Sequence, residues 1–187
     1  YMPEGLGKGN IYISKLDAQG VYGKPEKLDA KINAGGDEIA ASISSDGNTL
    51  YFASSRKGGM GGTDIYICKK IGKKWSEPMN AGKEINTPYD EDFPNISPDG
   101  KTLYFSSKGH TSMGGYDIFK SNFDETTNTY TSPKNIGYPI NTTDDDMNFR
   151  ISKNGKYGYI ASAKNGGQGD FDIYRVTFNE VESDYSV

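Results

Sequence analysis

The chain is short of the residues from which most catalytic and metal sites are built. It has one cysteine, Cys68, and one histidine, His110, in 187 residues. A single cysteine excludes an intrachain disulfide. Cys68 closes the run Ile65-Tyr66-Ile67-Cys68, which reads as a buried strand, so its thiol is expected to act as a small apolar filler. His110 lies in Lys108-Gly109-His110-Thr111-Ser112 with no nucleophile that can be named as its partner, and it is expected to be solvent-exposed. The Gly-x-Ser-x-Gly elbow and the Walker-type Gly-Lys-Ser/Thr are both missing. No stretch approaches the ~18 apolar residues of a membrane span. Lys/Arg runs stop at two residues, around Lys69 to Lys74, and the net charge is −4, which argues against a phosphate-backbone partner. No window has helical 3.6-residue spacing. A signal-peptide pattern is not visible, and the chain starts without Met in mid-pattern, so a mature or trimmed fragment is expected.

What the chain does have is glycine, aromatics and a repeat. Only 34% of residues are hydrophobic, but 14 Tyr and 8 Phe supply apolar area, and 24 Gly fit many tight turns. Asp46-Gly47, Asp99-Gly100 and Asn154-Gly155 recur in register. So do Asp64-Ile65-Tyr66, Asp117-Ile118-Phe119 and Asp172-Ile173-Tyr174, with Asn10-Ile11-Tyr12 as an earlier copy. Pro25, Pro78 and Pro133 correspond, as do Ile32-Asn33, Ile85-Asn86 and Ile140-Asn141. The period is 53 to 55 residues. Each Asp-Gly or Asn-Gly is a hairpin turn between apolar, aromatic-rich strands such as Leu50-Tyr51-Phe52 and Leu103-Tyr104-Phe105. A Gly-rich loop, a third strand and a short last strand follow. Four short strands repeated at this spacing predict an all-β fold, a β-propeller of four-stranded antiparallel blades.

The string from Ser97 to Ser107 (SPDGKTLYFSS), followed by Gly114-Gly115-Tyr116-Asp117-Ile118-Phe119, resembles the TolB-type, WD40-like propeller repeat. The resemblance runs from about Pro3 to Phe178. The extended form, with the Gly-Gly-x-Asp-Ile-Tyr segment and the Trp-Ser-x-Pro segment of Trp75, Ser76 and Pro78, is similar to propellers of Gram-negative envelope proteins that also carry an OmpA-like peptidoglycan-binding domain, some of them in secretion and gliding machinery. Ser45 in place of Pro98, and Lys153-Asn154-Gly155 in the third unit, depart from the pattern, and no OmpA-like domain is present in the 187 residues. The expected organisation is one propeller domain: residues 1–36 as the last two strands of a preceding blade, 37–89 and 90–143 as blades, 144–178 as a blade lacking its final strand, and 179–187 as a polar tail. About three blades cannot close a ring of four to eight, so missing blades of the same propeller or another chain are expected partners.

Three features are site candidates. Acidic stretches precede each opening strand: Asp37-Glu38, Asp90-Glu91-Asp92 and Asp144-Asp145-Asp146. In a propeller they would converge near the channel. Glu38, Glu91, Asp145 and Asp146 are then the candidates for a hard cation. Asp37, Asp90, Glu91, Asp144 and Asp145 are the candidates for a basic partner segment. The competing reading is solvated acids, or acids that accept backbone hydrogen bonds. The Gly58-Gly59-Met60-Gly61-Gly62 loop is read as turn geometry, capped by Asp64 and its copies Asp117 and Asp172. Trp75, Tyr130 and Tyr22 share one repeat position and are expected to pack between blades rather than to stack sugars. A glycosylation sequon starts at Asn141.

The resemblance implies a non-catalytic, protein-binding scaffold located in the periplasm or at the outer membrane, with no cofactor and envelope proteins as partners. The alternative is a propeller that gates or supports an enzyme whose catalytic part lies elsewhere, a prolyl-oligopeptidase-type hydrolase or a lyase. A channel cluster of histidines, as in some propeller lyases, is excluded within this chain by its single His110.

Overall fold

The computed structural model describes residues 9–178, and the expected polar tail, 179–187, lies outside them. Among the described residues there is no helix, hence none long and apolar enough to cross a membrane. The strands are β1 (Tyr12–Ile13), β2 (Glu26–Lys27), β3 (Glu38–Ile43), β4 (Thr49–Ser54), β5 (Asp64–Ile71), β6 (Lys74–Trp75), β7 (Met79–Asn80), β8 (Glu91–Ile96), β9 (Thr102–Ser107), β10 (Asp117–Asp124), β11 (Thr129–Tyr130), β12 (Lys134–Asn135), β13 (Asp146–Ile151), β14 (Tyr157–Ser162) and β15 (Asp172–Thr177). All pairings are antiparallel, giving the paths β3-β4-β5-β6, β8-β9-β10-β11 and β13-β14-β15, with β1-β2 before them. The architecture is an all-β propeller arrangement in which β8 packs on the sheet of β3 to β5, and β13 packs on β8 to β10.

The expected single outer strand is divided. β6 and β7 both pair with β5, and β11 and β12 both pair with β10. Pro78 and Pro133 lie in the interruptions, where the missing N–H cannot serve a ladder. The Asp-Gly turns form as the residue types require: Gly47, Gly100 and Gly155 have φ of 71°, 74° and 71°, which glycine adopts without a Cβ clash. The opening strands β3, β8 and β13 each carry a register shift, and in the latter two Phe93 (φ 50°) and Asn148 (φ 58°) occupy the left-handed region.

Hydrophobic cores lie between successive sheets. Tyr51 and Ile65 from one sheet meet Ile85, Ile96, Leu103, Phe105, Phe119 and Tyr130. Ile32 packs with Leu50, Phe52, Tyr66, Cys68 and Trp75. Ile118, Phe149 and Ile160 form the third core. A sheet between two neighbours is buried on both faces, and β4 is buried at all six positions. At the end of the stack the same pattern is buried on one face only. Ile65 and Ile118 are 0% exposed, whereas their repeat equivalent Ile173 is 80% exposed. Each full burial of such a side chain stabilises by ~1.5–3 kcal/mol, so the last sheet is the least supported.

The shared position of Trp75, Tyr130 and Tyr22 resolves unevenly. Trp75 and Tyr130 are buried, and the Tyr130 hydroxyl donates to the Tyr51 hydroxyl of the preceding sheet at 3.0 Å. Tyr22 does not pack: it is 71% exposed, because no equivalent of β4 lies beside β1 and β2 among the described residues.

Candidate binding site

The acidic stretches are built into the joints between sheets. The Gly9 N–H donates to Asp37 Oδ1 at 2.8 Å, the Thr63 N–H to Asp90 Oδ1 at 3.2 Å and the Tyr116 N–H to Asp145 Oδ1 at 2.8 Å. One residue further on, the backbone N–H of Glu38, Glu91 and Asp146 donates to the carbonyl of the same three partners. Each repeat thus clasps the unit before it twice. The side chains of Glu38, Glu91 and Asp146 turn inward and are buried. Glu38 Oε1 accepts from Ser54 Oγ at 3.0 Å and pairs with Arg56 at 3.4 Å. Glu91 accepts from the Thr87 N–H and hydroxyl and from Ser107 Oγ, and burial pushes its carboxyl above the usual range. Asp146 Oδ2 accepts from the Thr142 N–H and hydroxyl. Among the described residues no three His, Cys, Asp or Glu side chains gather as a metal ion requires.

The Gly-rich loops complete these joints. Asp64 and Asp172 accept from the backbone N–H groups of Met60 and Gln168, both at 2.7 Å, and Asp117 accepts from that of Met113. A Cβ at Gly115 would fall 2.0 Å from Asp145 Oδ1, and one at Gly61 would fall 1.8 Å from the Tyr89 carbonyl oxygen. The glycines are there because neighbouring units approach too closely for a side chain.

A second repeated device lies on the other side of each joint. Asn33, Asn86 and Asn141 imitate a strand. Each accepts the N–H and donates to the C=O of one isoleucine: Ile11, Ile65 and Ile118 respectively, at 2.7–3.1 Å. The preceding isoleucine carbonyl is then taken by the next sheet. Arg56 Nη2 donates to Ile32 O at 2.6 Å while its guanidinium covers Phe52 and Tyr66. His110 Nε2 lies 3.0 Å from Ile85 O, with its ring beside Phe105 and Phe119. His110 is exposed, as expected, but it also anchors a joint. Asn141 is 0% exposed with its amide fully engaged, so the sequon cannot accept a glycan in the folded chain.

The acids also create an electrostatic focus that composition alone does not reveal. The Tyr116 phenol is pushed well up, first by burial and then by Asp90, Asp92, Asp145 and Glu91. Asp92 is 4% exposed and its carboxyl is pushed up to about 6 by burial, with the Phe93 N–H pulling it down and Asp90 pushing it further up. Lys108 lies across this focus, 3.0 Å from Asp90 and with its ammonium 4.5 Å from the Tyr116 ring centroid. Asp145, through the Tyr116 N–H, and Asp90, through Lys108, thus both lie beside Tyr116. Asp37 is exposed and engaged at the earlier joint, and Asp144 is half-buried beside Asp145. Tyr116, Lys108 and the buried state of Asp92 were not singled out from sequence. Tyr116 occupies the Thr63 position of the repeat, so the repeat itself gave no signal.

A groove of about 1000 Å³ opens between the first two complete sheets, lined in part by Tyr51, Lys69, Met79, Glu84 and Tyr130.

No protein-family model matches the sequence, and no curated protein is a significant match. Solved structures do match. TolB from Acinetobacter baumannii aligns with TM-score 0.57 and 18% identity over 90% of this chain and 35% of its own. An Agrobacterium tumefaciens protein described as TolB gives TM-score 0.58 and 19% identity, with coverages of 89% and 51%. A Bacteroides uniformis protein described as a 6-phosphogluconolactonase gives 0.50 and 14%, with coverages of 93% and 49%. The chain thus has the TolB-type propeller fold and spans between about a third and a half of the length of these structures.

Proposed function

We propose that this propeller is a non-catalytic, protein-binding scaffold of the Gram-negative cell envelope, and that it docks a basic segment of an envelope partner at the acidic focus around Tyr116. The observation that carries the reading is the placement of two acids from successive repeats beside Tyr116: Asp145 accepts its backbone N–H at 2.8 Å, and Asp90 lies 3.0 Å from Lys108, whose ammonium covers the Tyr116 ring. Like charges held together in a partly desolvated site favour an incoming cation over water. The rigid joints supply the preorganisation that such docking needs. The envelope location and the peptidoglycan-associated or secretion-machinery context rest on the resemblance of the Ser97–Ser107 and Trp75–Pro78 segments.

Glu91 is a poor site for a test because its removal would leave Thr87 and Ser107 unpaired in the interior. Asp92→Asn and Asp144→Asn leave the joint hydrogen bonds of Asp90 and Asp145 in place. A pull-down from envelope extract should retain a specific protein on the native chain, lose it on the double variant, and lose it progressively as salt rises. Equal retention by both baits at all salt concentrations would move the site elsewhere. Retention of nothing at low salt would shift the balance to the enzyme-supporting alternative.

A further inference from the structure

Among the described residues the opening strands β3, β8 and β13 pair on one side only, with β4, β9 and β14, and β8 packs against both β3 and β13. The edge N–H groups between them are served by one position of the repeat. Ser42 Oγ accepts from the Ile96 N–H at 3.1 Å, and Asn95 Oδ1 accepts from the Ile151 N–H at 3.4 Å. Ser42 and Asn95 are repeat equivalents, so each gives its acceptor to the next opening strand. What each keeps is a donor. The Ser42 O–H and the Asn95 Nδ2–H groups have no acceptor among the described residues.

The third copy of that position is Arg150. A guanidinium has five N–H donors and no acceptor, so it cannot make the bond that serine and asparagine make. Arg150 turns back to the preceding unit instead. Its Nε donates to Asn148 Oδ1 at 3.0 Å and its Nη1 to the Pro94 carbonyl at 3.4 Å, next to Asn95. Both acceptors are neutral. Arg150 is half-buried and has no ion pair among the described residues. Burial, with no carboxylate acting on it, pulls its guanidinium below the ordinary value. Arg56 is the contrast: its guanidinium pairs with Glu38 Oε1 at 3.4 Å. A cation taken partly out of water without an anion is costly. A joint that serine and asparagine can make gives no reason to bear that cost, and three guanidinium N–H groups of Arg150 remain uncommitted.

We propose that Arg150 and Asn95 form a binding point for a carboxylate at the joint between β8 and β13. The uncommitted donors decide the ligand class. A planar guanidinium fork matches the two oxygens of a carboxylate, and the Asn95 amide adds a neutral donor. One cation balances a monoanion. A phosphate dianion would leave a net negative charge in a half-desolvated site, on a chain that already carries −4. The binding point is separate from the acidic focus around Tyr116, whose acids do not act on Arg150, so either can fail without the other.

The test uses the full chain, labelled with ¹⁵N and titrated with sodium acetate, and separately with sodium phosphate, at an ionic strength held constant with sodium chloride. The expected result is saturable movement of the Arg150 Nε–H and Asn95 side-chain amide resonances with acetate, and weaker binding of phosphate. Asn95→Asp keeps an acceptor for the Ile151 N–H and supplies a carboxylate beside Arg150, so acetate binding should weaken by about tenfold or more while the dispersed spectrum shows a folded chain. Arg150→Gln should abolish the binding. N-acetyl-triglycine presents its carboxylate at the end of a peptide; tighter binding than acetate identifies a polypeptide source, and weaker binding a small acid. No saturable movement, the same movement with chloride alone, or undiminished acetate binding by Asn95→Asp would each overturn the proposal. Phosphate binding tighter than acetate would overturn the choice of a carboxylate.

Discussion

Replacing Asn86 by alanine isolates the energetics of one asparagine joint. The Asn86 side chain is 1% exposed and makes three hydrogen bonds: from the Ile65 N–H at 2.8 Å, to Ile65 O at 2.9 Å and to Asn80 Oδ1 at 2.9 Å. The consequences are not equal. Ile65 O keeps a bond from the Ala81 N–H at 2.9 Å, so it stays satisfied. Asn80 Oδ1 keeps the Gly82 N–H. The Ile65 N–H is left buried with no acceptor, which costs about 1–3 kcal/mol. The two lost but replaceable bonds add about 0.5–1.5 kcal/mol each at most, and only in part because their acceptors remain bonded. The expected destabilisation of Asn86→Ala is therefore about 2–4 kcal/mol. Asn33→Ala removes the same contacts with Ile11 at a half-buried site, where water can reach the freed N–H, and should cost about half as much. Urea denaturation with midpoints and slopes compared across the two variants measures both values. A loss below about 0.5 kcal/mol for Asn86→Ala, or equal losses at the two sites, would refute the orphaned-amide argument.

Other perturbations probe different parts of the molecule. Asp92→Asn should stabilise the protein at neutral pH. The native carboxyl titrates at about 6 against 3.8 in the unfolded chain, so the folded state holds the proton more tightly, and stability is full below the lower value and declines as pH rises through the higher one. The gain should reach at most about 3 kcal/mol above pH 7 and vanish below about pH 4, and a pH series of unfolding curves in which the two proteins run parallel would contradict it. Gly61→Ala places a Cβ 1.8 Å from the Tyr89 carbonyl oxygen, in the segment that leads into the next unit, and should cost about 3 kcal/mol or more, whereas Gly47→Ala, with φ of 71° and open space around it, should cost only the ~1–2 kcal/mol of a left-handed backbone; similar melting temperatures for the two would argue against a tight joint. The Cys68 thiol is 0% exposed and pushed up to about 11 by burial, so the folded protein should resist a thiol reagent at pH 8 and react only on unfolding; prompt labelling of the native protein would show that its core is open.

Repetition made much of this fold legible. Asp46-Gly47 and its copies gave the hairpins, and Asp64, Asp117 and Asp172 were recognisable as caps because an aspartate following glycines has few other uses in a strand-rich chain. The repeated Ile-Asn dipeptide was visible as a pattern, but its role in the joint was not, since the bonding partner lies 21 to 23 residues away. The paired short outer strands were hidden for a similar reason: β6 and β7 share one partner strand, a relation that exists only once β5 is in place.

Local chemistry therefore determined what every repeat has in common: turns that need glycine, strands that need aromatic and branched side chains, and acids placed to accept backbone amides. The tertiary stack decided what differs between repeats. Burial is a property of neighbours, so Ile173 is 80% exposed while Ile65 and Ile118, at the same repeat position, are 0% exposed, and Tyr22 lies in solvent where Tyr130 is in a core. Charge acts through space in the same way. Asp90 and Asp145 both lie beside Tyr116 because successive sheets bring them there, and no spacing along the chain records that placement.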